Sequence, residues 1–431
     1  MALSKDSYKG TRDFYPEDKR ILNYIFSTWR SVVESFGYEE YDAPLIEMTD
    51  LYRAKTGEEI VDNQLYSFKD RGDRDVAIRP EMTPSLARMV ANRRQELPYP
   101  ARWYSIPNLW RYERPQRGRL REHWQLNVDI IGVERLDAEL ELILIAAQIM
   151  EKFGATPEMY TIKINSRKVS ALLMAQYLEL SSSQAQAMAK VLDKKDKMEE
   201  ASFIKEAEQV FPEDKRKEGI TKLKTIVAAK TMADLPEAIR ESDAIRQVQI
   251  LFTLLKDNGI KNATFDISLM RGLDYYTDIV FEVFDTNKEN PRSLFGGGRY
   301  DGLVGIFDVE DIPAAGFGMG DVTIADFLNT HSLLPDLNSK TDIYLAVVGD
   351  VGRQAQGIAN ILRNQGLSVE VDISGNKVEK QIKSADKKQI KYIMFVGEEE
   401  LNTEKFPVKN LDSGKEDKYP LGDIPKLVSQ D

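Results

Sequence analysis

The sequence predicts an α+β fold, interrupted by a helical insertion and followed by a separate small α/β domain. Three observations predict it. Short strand patterns punctuated by Gly and Pro fill residues 39–132 and return after residue 258. Between 168 and 258 the strand patterns cease and Ala, Lys, Glu, Met and Gln dominate. From 341 onward strand and helix patterns alternate cleanly. A chain of 431 residues with 42% hydrophobic content is too long for one core, so several domains are expected.

The elements follow in order. Residues 17–37 carry Ile21, Ile25, Trp29, Val33 and Phe36 at helical spacing and stop at Gly37. YEEYDAPLIEM is extended by Pro44. LYSFKDRGDRDVAIRPEMT (65–83) reads as a hairpin turning at RGD, and PSLARMVANRRQ as the next helix. Residues 101–132 read as strand, long polar loop, strand. In the second strand WQLNVDIIG alternates, which sends one face to the core and the other toward a site. Residues 137–153 form an apolar helix ended by Gly154, and YTIKIN is a strand. Within the insertion, SSSQAQ and FPEDKR serve as helix starts. Strands resume with ATFDISLM and IVFEVF. SLFGGGRYDGLVGIF reads as a glycine-rich turn before a helical segment, and AAGFGMGDVTIADFL (314–328) as a strand entering a helix. After the linker HSLLPDLNSKT, the strands DIYLAVVG, SVEVDI and KYIMFVG alternate with the helices RQAQGIANILRNQG and KVEKQIKSADKKQ, a βαβ arrangement. The boundaries are 1–167 and 259–330 for the first domain, 168–258 for the insertion, 331–340 for the linker and 341–431 for the last domain.

Composition excludes several chemistries. With no cysteine there are no disulfides, thiolate zinc sites or thiol nucleophiles, and His123 and His331 are the only histidines. Neither lies near a nucleophile turn, which argues against a Ser-His-Asp hydrolase. A net charge of −11 argues against general adhesion to nucleic acid, though a local basic face can still grip a phosphate backbone. The apolar run LELILIAAQIM (140–150) is broken by an acid and falls short of the roughly 20 residues a bilayer span needs. The opening MALSKDSYKGTRDF lacks the apolar core of a signal peptide, so a cytoplasmic location and no membrane partner are expected.

Five stretches stand out chemically. RYERPQRGRLR packs Arg111, Arg114, Arg117, Arg119 and Arg121 into one loop, countered only by Glu113, and planar guanidinium groups at that density suit an anion such as phosphate. In IRPEMT, Glu81 fits two roles, an acid at a helix start or a carboxylate for a substrate ammonium. In GFGMGD, Gly316, Gly318 and Gly320 alternate, a pattern suited to close approach of a second backbone or a flat ligand. RGLDYYTD places Arg271 before Tyr275 and Tyr276, which in a strand would face opposite ways. Lys377, Lys380, Lys383, Lys387, Lys388 and Lys391 fit either a backbone-binding face or a solvated helix face.

Taken together, KGTRDFYPED, RPEMT, RYERPQRGR, NVDIIG, INSRK, RGLDYYT, GGGRYDGL and the tail VDISGNKVEKQIKSADKKQIKYIMFVGEEEL resemble the histidyl-tRNA synthetases of class II. The resemblance covers nearly the whole chain, although the insertion matches mainly by position. It implies an antiparallel-sheet catalytic domain, a C-terminal anticodon-binding domain and a homodimer built by the first helix and YEEYDAPLIEM. The implied activity activates L-histidine with ATP and transfers it to tRNA(His), with Mg2+ accompanying ATP and no protein-bound zinc.

For the residues, the resemblance implies histidine binding by Glu81, Met82, Thr83, Arg111, Gln125, Asp129, Arg271, Tyr275 and Tyr276. It places Arg111, Glu113, Arg119, His123, Arg271, Gly318 and Gly320 around ATP, with Arg271 and Arg111 as the catalytic cations. Arg114 and Gln116 fall where the acceptor end of tRNA is met. Two positions depart from the family. Val322 and Thr323 stand where the third class II motif carries Glu and Arg, and His123 takes the place of a stacking phenylalanine. The departures leave one alternative, a histidine-binding regulator without catalysis. The relative of that kind, the regulatory subunit of ATP phosphoribosyltransferase, lacks the anticodon domain and degrades RGLDYYT, and this chain has both intact.

Overall fold

Pro16 opens the first helix, Pro16–Ser35, whose apolar stripe of Leu22, Ile25, Trp29, Val32 and Val33 is buried. The helix packs beside Asp137–Lys152, and both cover one face of a large sheet. The computed structural model describes residues 3–54, 63–193, 195, 198–269 and 275–429. It divides into two units, Met1–Leu334 and Pro335–Asp431.

In the first unit the sheet runs in the order Glu39–Glu40, Ala101–Ser105, Glu122–Ile131, Ala314–Gly320, Ser293–Arg299, Ile279–Asp285, Tyr160–Ser166 and Ala263–Phe265. Its inner strands are antiparallel, and the two outermost run parallel to their neighbours. Asn108–Trp110 pairs with the start of Glu122–Ile131. A three-stranded sheet of Ile46–Met48, Asp75–Ile78 and Tyr66–Lys69 lies alongside, and its hairpin turns at the expected RGD.

Register builds the site. Asp129 lies opposite Gly316, Asn127 opposite Gly318 and Gln125 opposite Gly320, while Gly316 and Gly318 in turn face Gly298 and Gly296. One face therefore carries three polar side chains beside a floor of glycines. On the other face Leu126, Val128, Ile130, Phe317 and Met319 join the core, as the alternation in WQLNVDIIG predicts. SLFGGGR is corrected from a turn to an inner strand, Ser293–Arg299. Glycine weakens a strand signal, yet a Cβ on Gly297 would lie 2.1 Å from the Gly316 carbonyl oxygen, so the close approach requires glycine there.

The insertion is helical among its described residues, from Arg167–Leu172 through Ser182–Asp193, Glu200–Val210 and Arg216–Ala228 to Asp243–Asp257. Its buried residues Phe203, Leu223 and Leu251 pack into the core of the first unit.

The second unit is a sheet ordered Val369–Val371, Ile343–Val347, Tyr392–Val396, Lys405–Asn410 and Glu416–Pro420. The first three strands are parallel, as the βαβ pattern predicts, and the last two form an antiparallel hairpin that the pattern did not reveal. Helix Val378–Lys387 is pinned by buried Gln381, which exchanges two 2.8 Å hydrogen bonds with the Val347 backbone. Among the lysines singled out nearby, Lys388 is paired with Glu370. No helix among the described residues is long and apolar enough to cross a membrane.

Candidate active site

A cavity opens over the glycine floor. Its walls include Glu81, Thr83, Arg111, Gln125, Asn127, Asp129, Tyr275, Tyr276 and Tyr300. The glycines make room for the strand-borne side chains: a Cβ on Gly316 would lie 2.2 Å from Asp129 Oδ1, and one on Gly318 would lie 2.8 Å from the Gln125 amide.

Asp129 is the electrostatic centre of this cavity. It is 3% exposed. Its Oδ1 accepts the Tyr300 hydroxyl, while its Oδ2 is buried with no hydrogen-bond partner among the described residues. Burial pushes its pKa up to about 7, and the Tyr300 bond holds that rise back. An unpaired buried carboxylate oxygen is costly, and an N–H donor brought by a ligand would satisfy it.

Around it stand three phenols. Tyr275 and Tyr276 precede the strand Ile279–Asp285 rather than lying in it, so alternation does not separate them and both line the cavity. Their rings meet edge to face at 5.1 Å, and Tyr275 meets Tyr300 at 5.7 Å. Burial pushes both Tyr275 and Tyr276 hydroxyls up, which keeps them protonated donors. Tyr275 donates to Glu81 Oε2 at 3.1 Å. Glu81 is buried and lines the cavity.

Tyr300 is positioned from behind. Arg299, next in the chain, is buried against Glu139 through bonds of 2.6 and 2.8 Å and also donates to the Val133 and Arg135 carbonyls. A buried ion pair so fully bonded holds the backbone that presents Tyr300.

A second cavity adjoins the first and shares Arg111, Gln125 and Gly318 with it. At about 200 Å³ against about 80 Å³ it is the larger of the two. Its other walls are Glu113, Gly118, Arg119, Leu120, His123, Ser293, Leu294, Phe295, Gly320, Val322 and Thr323.

The arginine loop closes this cavity. Its neck is the Arg111 N–H to Arg121 carbonyl bond, and its tip is a backbone pair between Gln116 and Arg119 around Gly118 at φ +75°. The five arginines divide their work. Arg111 is oriented by a 2.9 Å bond from Nε to the Pro80 carbonyl and serves both cavities. Arg119 lines the larger cavity, with Glu113 Oε2 at 3.7 Å. Arg117 donates to Thr330 Oγ1, and Arg114 is exposed. Arg121 leaves the anion-binding set: it lies 4.0 Å over the Tyr112 ring and donates to the Tyr8 hydroxyl and the Glu113 carbonyl.

The departures noted in the sequence meet in this cavity. Burial pushes His123 down to about 3, helped by the Arg111 and Arg12 cations, so its imidazole is neutral. Val322 and Thr323 open helix Asp321–Thr330, and the Thr323 hydroxyl donates to the Leu294 carbonyl at 2.6 Å. Beside them buried Asp321 takes Arg12 at 2.6 Å and the Trp124 N–H at 2.8 Å.

The residues named from the sequence thus gather in two adjoining cavities, with three exceptions in the described part. Met82 is fully buried, its sulfur 3.9 Å from an Arg79 guanidinium nitrogen, and lines neither cavity. Arg114 and Gln116 sit exposed on the loop. Arg271 lies outside the described residues. Sequence reasoning missed Asn127 and Tyr300. The alternation of WQLNVDIIG already placed Asn127 on the site face, whereas Tyr300 meets Asp129 across 171 positions and carries no local signal.

A family model described as histidyl-tRNA synthetase matches residues 10–322, and one described as an anticodon binding domain matches residues 342–431. The histidine–tRNA ligase of Leptospira biflexa is 43% identical over 431 residues, covering 100% of this chain and 98% of the relative. That of Thermoplasma volcanium is 36% identical and covers 96% of each. Among solved structures, histidyl-tRNA synthetase from a Nostoc species aligns over 100% of both chains with a TM-score of 0.84 at 23% identity, a likeness of fold.

Proposed function

The chain belongs to the histidyl-tRNA synthetase family, and from that premise we propose that its adjoining cavities hold histidine and ATP side by side. The activity is that of an aminoacyl-tRNA ligase, which uses ATP to join histidine to tRNA(His). The observation that carries the site assignment is the unpaired Asp129 Oδ2 in a cavity that shares Arg111 with a larger, arginine-lined one.

In this reading the imidazole of L-histidine lies among Tyr275, Tyr276 and Asp129 and donates an N–H to Oδ2. A side chain without that donor leaves the carboxylate unpaired, the kind of contact that discriminates strongly. Glu81 and Thr83 take the ammonium group, and Gln125 closes the side toward ATP. Buried Met82 supports the turn that presents them. Arg111 at the junction spans the histidine carboxylate and the α-phosphate, and by the family resemblance Arg271 faces the same phosphate.

A histidine carboxylate oxygen attacks the α-phosphorus in line, pyrophosphate leaves and histidyl-adenylate forms. The terminal ribose hydroxyl of tRNA then attacks the adenylate carbonyl, and AMP leaves. The protein supplies position and fixed cations rather than a nucleophile. Arg119 meets the outer phosphates and Glu113 the adenine region. Neutral His123 stacks on the base, and Gly318 and Gly320 allow the ring to approach the strand. Mg2+ would accompany ATP and neutralise part of its phosphate charge beside Arg111 and Arg119. Arg114 and Gln116 meet the acceptor end.

The catalytic role falls to residues 1–167 and 259–330, with 168–258 as the insertion, 331–340 as linker and 341–431 as the reader of the anticodon. The cytoplasm is the compartment such a reaction serves. A homodimer is supported by Leu45, Ile46, Met48 and Phe68, which stand 44–48% exposed on or beside the small sheet, an apolar face that a second copy would cover. Sedimentation would read it directly, and a monomer at micromolar concentration would refute it.

ATP–pyrophosphate exchange with each amino acid in turn tests the function. Exchange with histidine alone is expected. Histidine binding without exchange would leave a regulator.

A further inference from the structure

The arginine loop does not hang free over the larger cavity; it rests on one face of helix Asp321–Thr330. Two contacts dock it, and an acid on the same face attracts it. The Asp326 carboxylate faces the Arg117 cation and the Gly118 N–H, both of which favour its charged form. Arg117 donates to Thr330 Oγ1 at 3.1 Å. A Cβ on Gly118 would lie 3.5 Å from the Thr323 methyl, so the tip of the loop sits directly over that side chain. Positions 323, 326 and 330 recur at helical spacing and form one stripe.

The helix beneath is anchored by its buried face. Ile324, Phe327 and Leu328 are 0% exposed. At its start Asp321 is bonded to Arg12 and to the Trp124 N–H of the strand that carries Asp129. Toward its end Thr330 uses its full hydrogen-bonding capacity: the hydroxyl donates to the Asp326 carbonyl at 2.8 Å and accepts from Arg117 and from Asn290 at 3.1 Å each. Asn290 is fixed by Asp285, which also holds His331 at 2.8 Å.

We infer that Asp326 and Thr330 are positioning residues for ATP: they hold the arginine loop down, and so set where Arg119 stands in the larger cavity. The inference rests on the reading of that cavity as the ATP site. Neither side chain lines a cavity, so their effect passes through the loop alone. The Asp326 carboxylate adds its attraction for the Arg117 cation and the Gly118 N–H to the Arg117–Thr330 bond.

Asp326→Ala is expected to raise the KM for ATP in histidine-dependent pyrophosphate exchange about tenfold and to leave the KM for histidine unchanged. Asp326→Asn keeps an oxygen toward the Gly118 N–H but not the charge facing Arg117, and is expected to restore part of the loss. Thr330→Val should act in the same direction by about threefold, since Arg117 is half exposed, with Thr330→Ser restoring it. Parental kinetics in Asp326→Ala, or equal rises in both KM values, would overturn the inference. Amide hydrogen exchange over residues 116–119 reads the docking without catalysis and separates its failure from failure of the ATP reading. Faster exchange in Asp326→Ala than in the parent and in Asp326→Asn supports the docking even if the parent activates no amino acid. Equal protection in all three rejects it.

Discussion

The two cavities share three residues yet are built on opposite principles. The smaller one is written on strands. Gln125, Asn127 and Asp129 project from an inner strand over glycines on its neighbours, and Asp129 is nearly sealed from water. The larger one is closed by a loop whose long cations stay substantially exposed: the Arg119 side chain is 46% exposed and Arg117 53%. Selecting one amino acid needs short side chains held to fractions of an ångström, which a sheet supplies. Holding a flexible triphosphate needs positive charge within reach, which a loop supplies. The positions that the resemblance marks as departures, His123 and the Val322–Thr323 pair, face the loop-covered cavity.

The largest effect is expected at the shared residue. Arg111→Ala should lower histidine-dependent pyrophosphate exchange roughly a hundredfold to a thousandfold, moving the parameters of both substrates. If only one substrate's KM moves, the two cavities are not joined as described. Gly316→Ala comes next, because the added methyl would meet Asp129 Oδ1 at 2.2 Å and the Val128 carbonyl at 2.7 Å. The KM for histidine should rise about tenfold or more while that for ATP holds, the signature of a strand-built pocket. Arg119→Ala should do the converse, raising the KM for ATP about tenfold with histidine unaffected.

A pH measurement sharpens the same contrast. Burial raises the Asp129 carboxyl from 3.8 to about 7, so the folded chain holds that proton more tightly than the unfolded chain does. The stability it contributes is full below about pH 4 and is lost as pH rises to about 7. Thermal melts should show Asp129→Asn losing less stability than the parent between pH 5 and pH 8. Parallel curves would show that Asp129 is solvated. The smallest effect is expected for His123→Phe, which replaces one neutral ring by another and should change the KM for ATP by about twofold or less. A large loss there would mean that the imidazole makes a polar contact with ATP.

Much of this was legible in the sequence, residue by residue. Period-two alternation around Asp129 told core from site because a pleated strand sends neighbours to opposite faces. The composition change at the insertion and the βαβ pattern at the C-terminal end were equally local signals. The family motifs named most of the residues that line the two cavities. Where the local reading failed, the cause was non-local. SLFGGGR was read as a turn because glycine disfavours strands in isolation. It is an inner strand because Gly297 must let the Ala314–Gly320 backbone come close. The hairpin Lys405–Asn410 and Glu416–Pro420 is mostly polar and half exposed, so it lacks the apolar rhythm that reveals strands.

By itself, then, the sequence determined the succession of elements, the polar face of the strand at Asp129 and the cationic character of the loop, because each depends on residues close along the chain. Tertiary structure alone decided that Tyr300 bonds Asp129 from 171 positions away, that Arg121 is buried in aromatic rings while Arg111 lines both cavities, and that the loop rests on helix Asp321–Thr330. The reason is physical. A side chain's charge travels with its residue, but its burial and its partners belong to whatever the fold brings beside it.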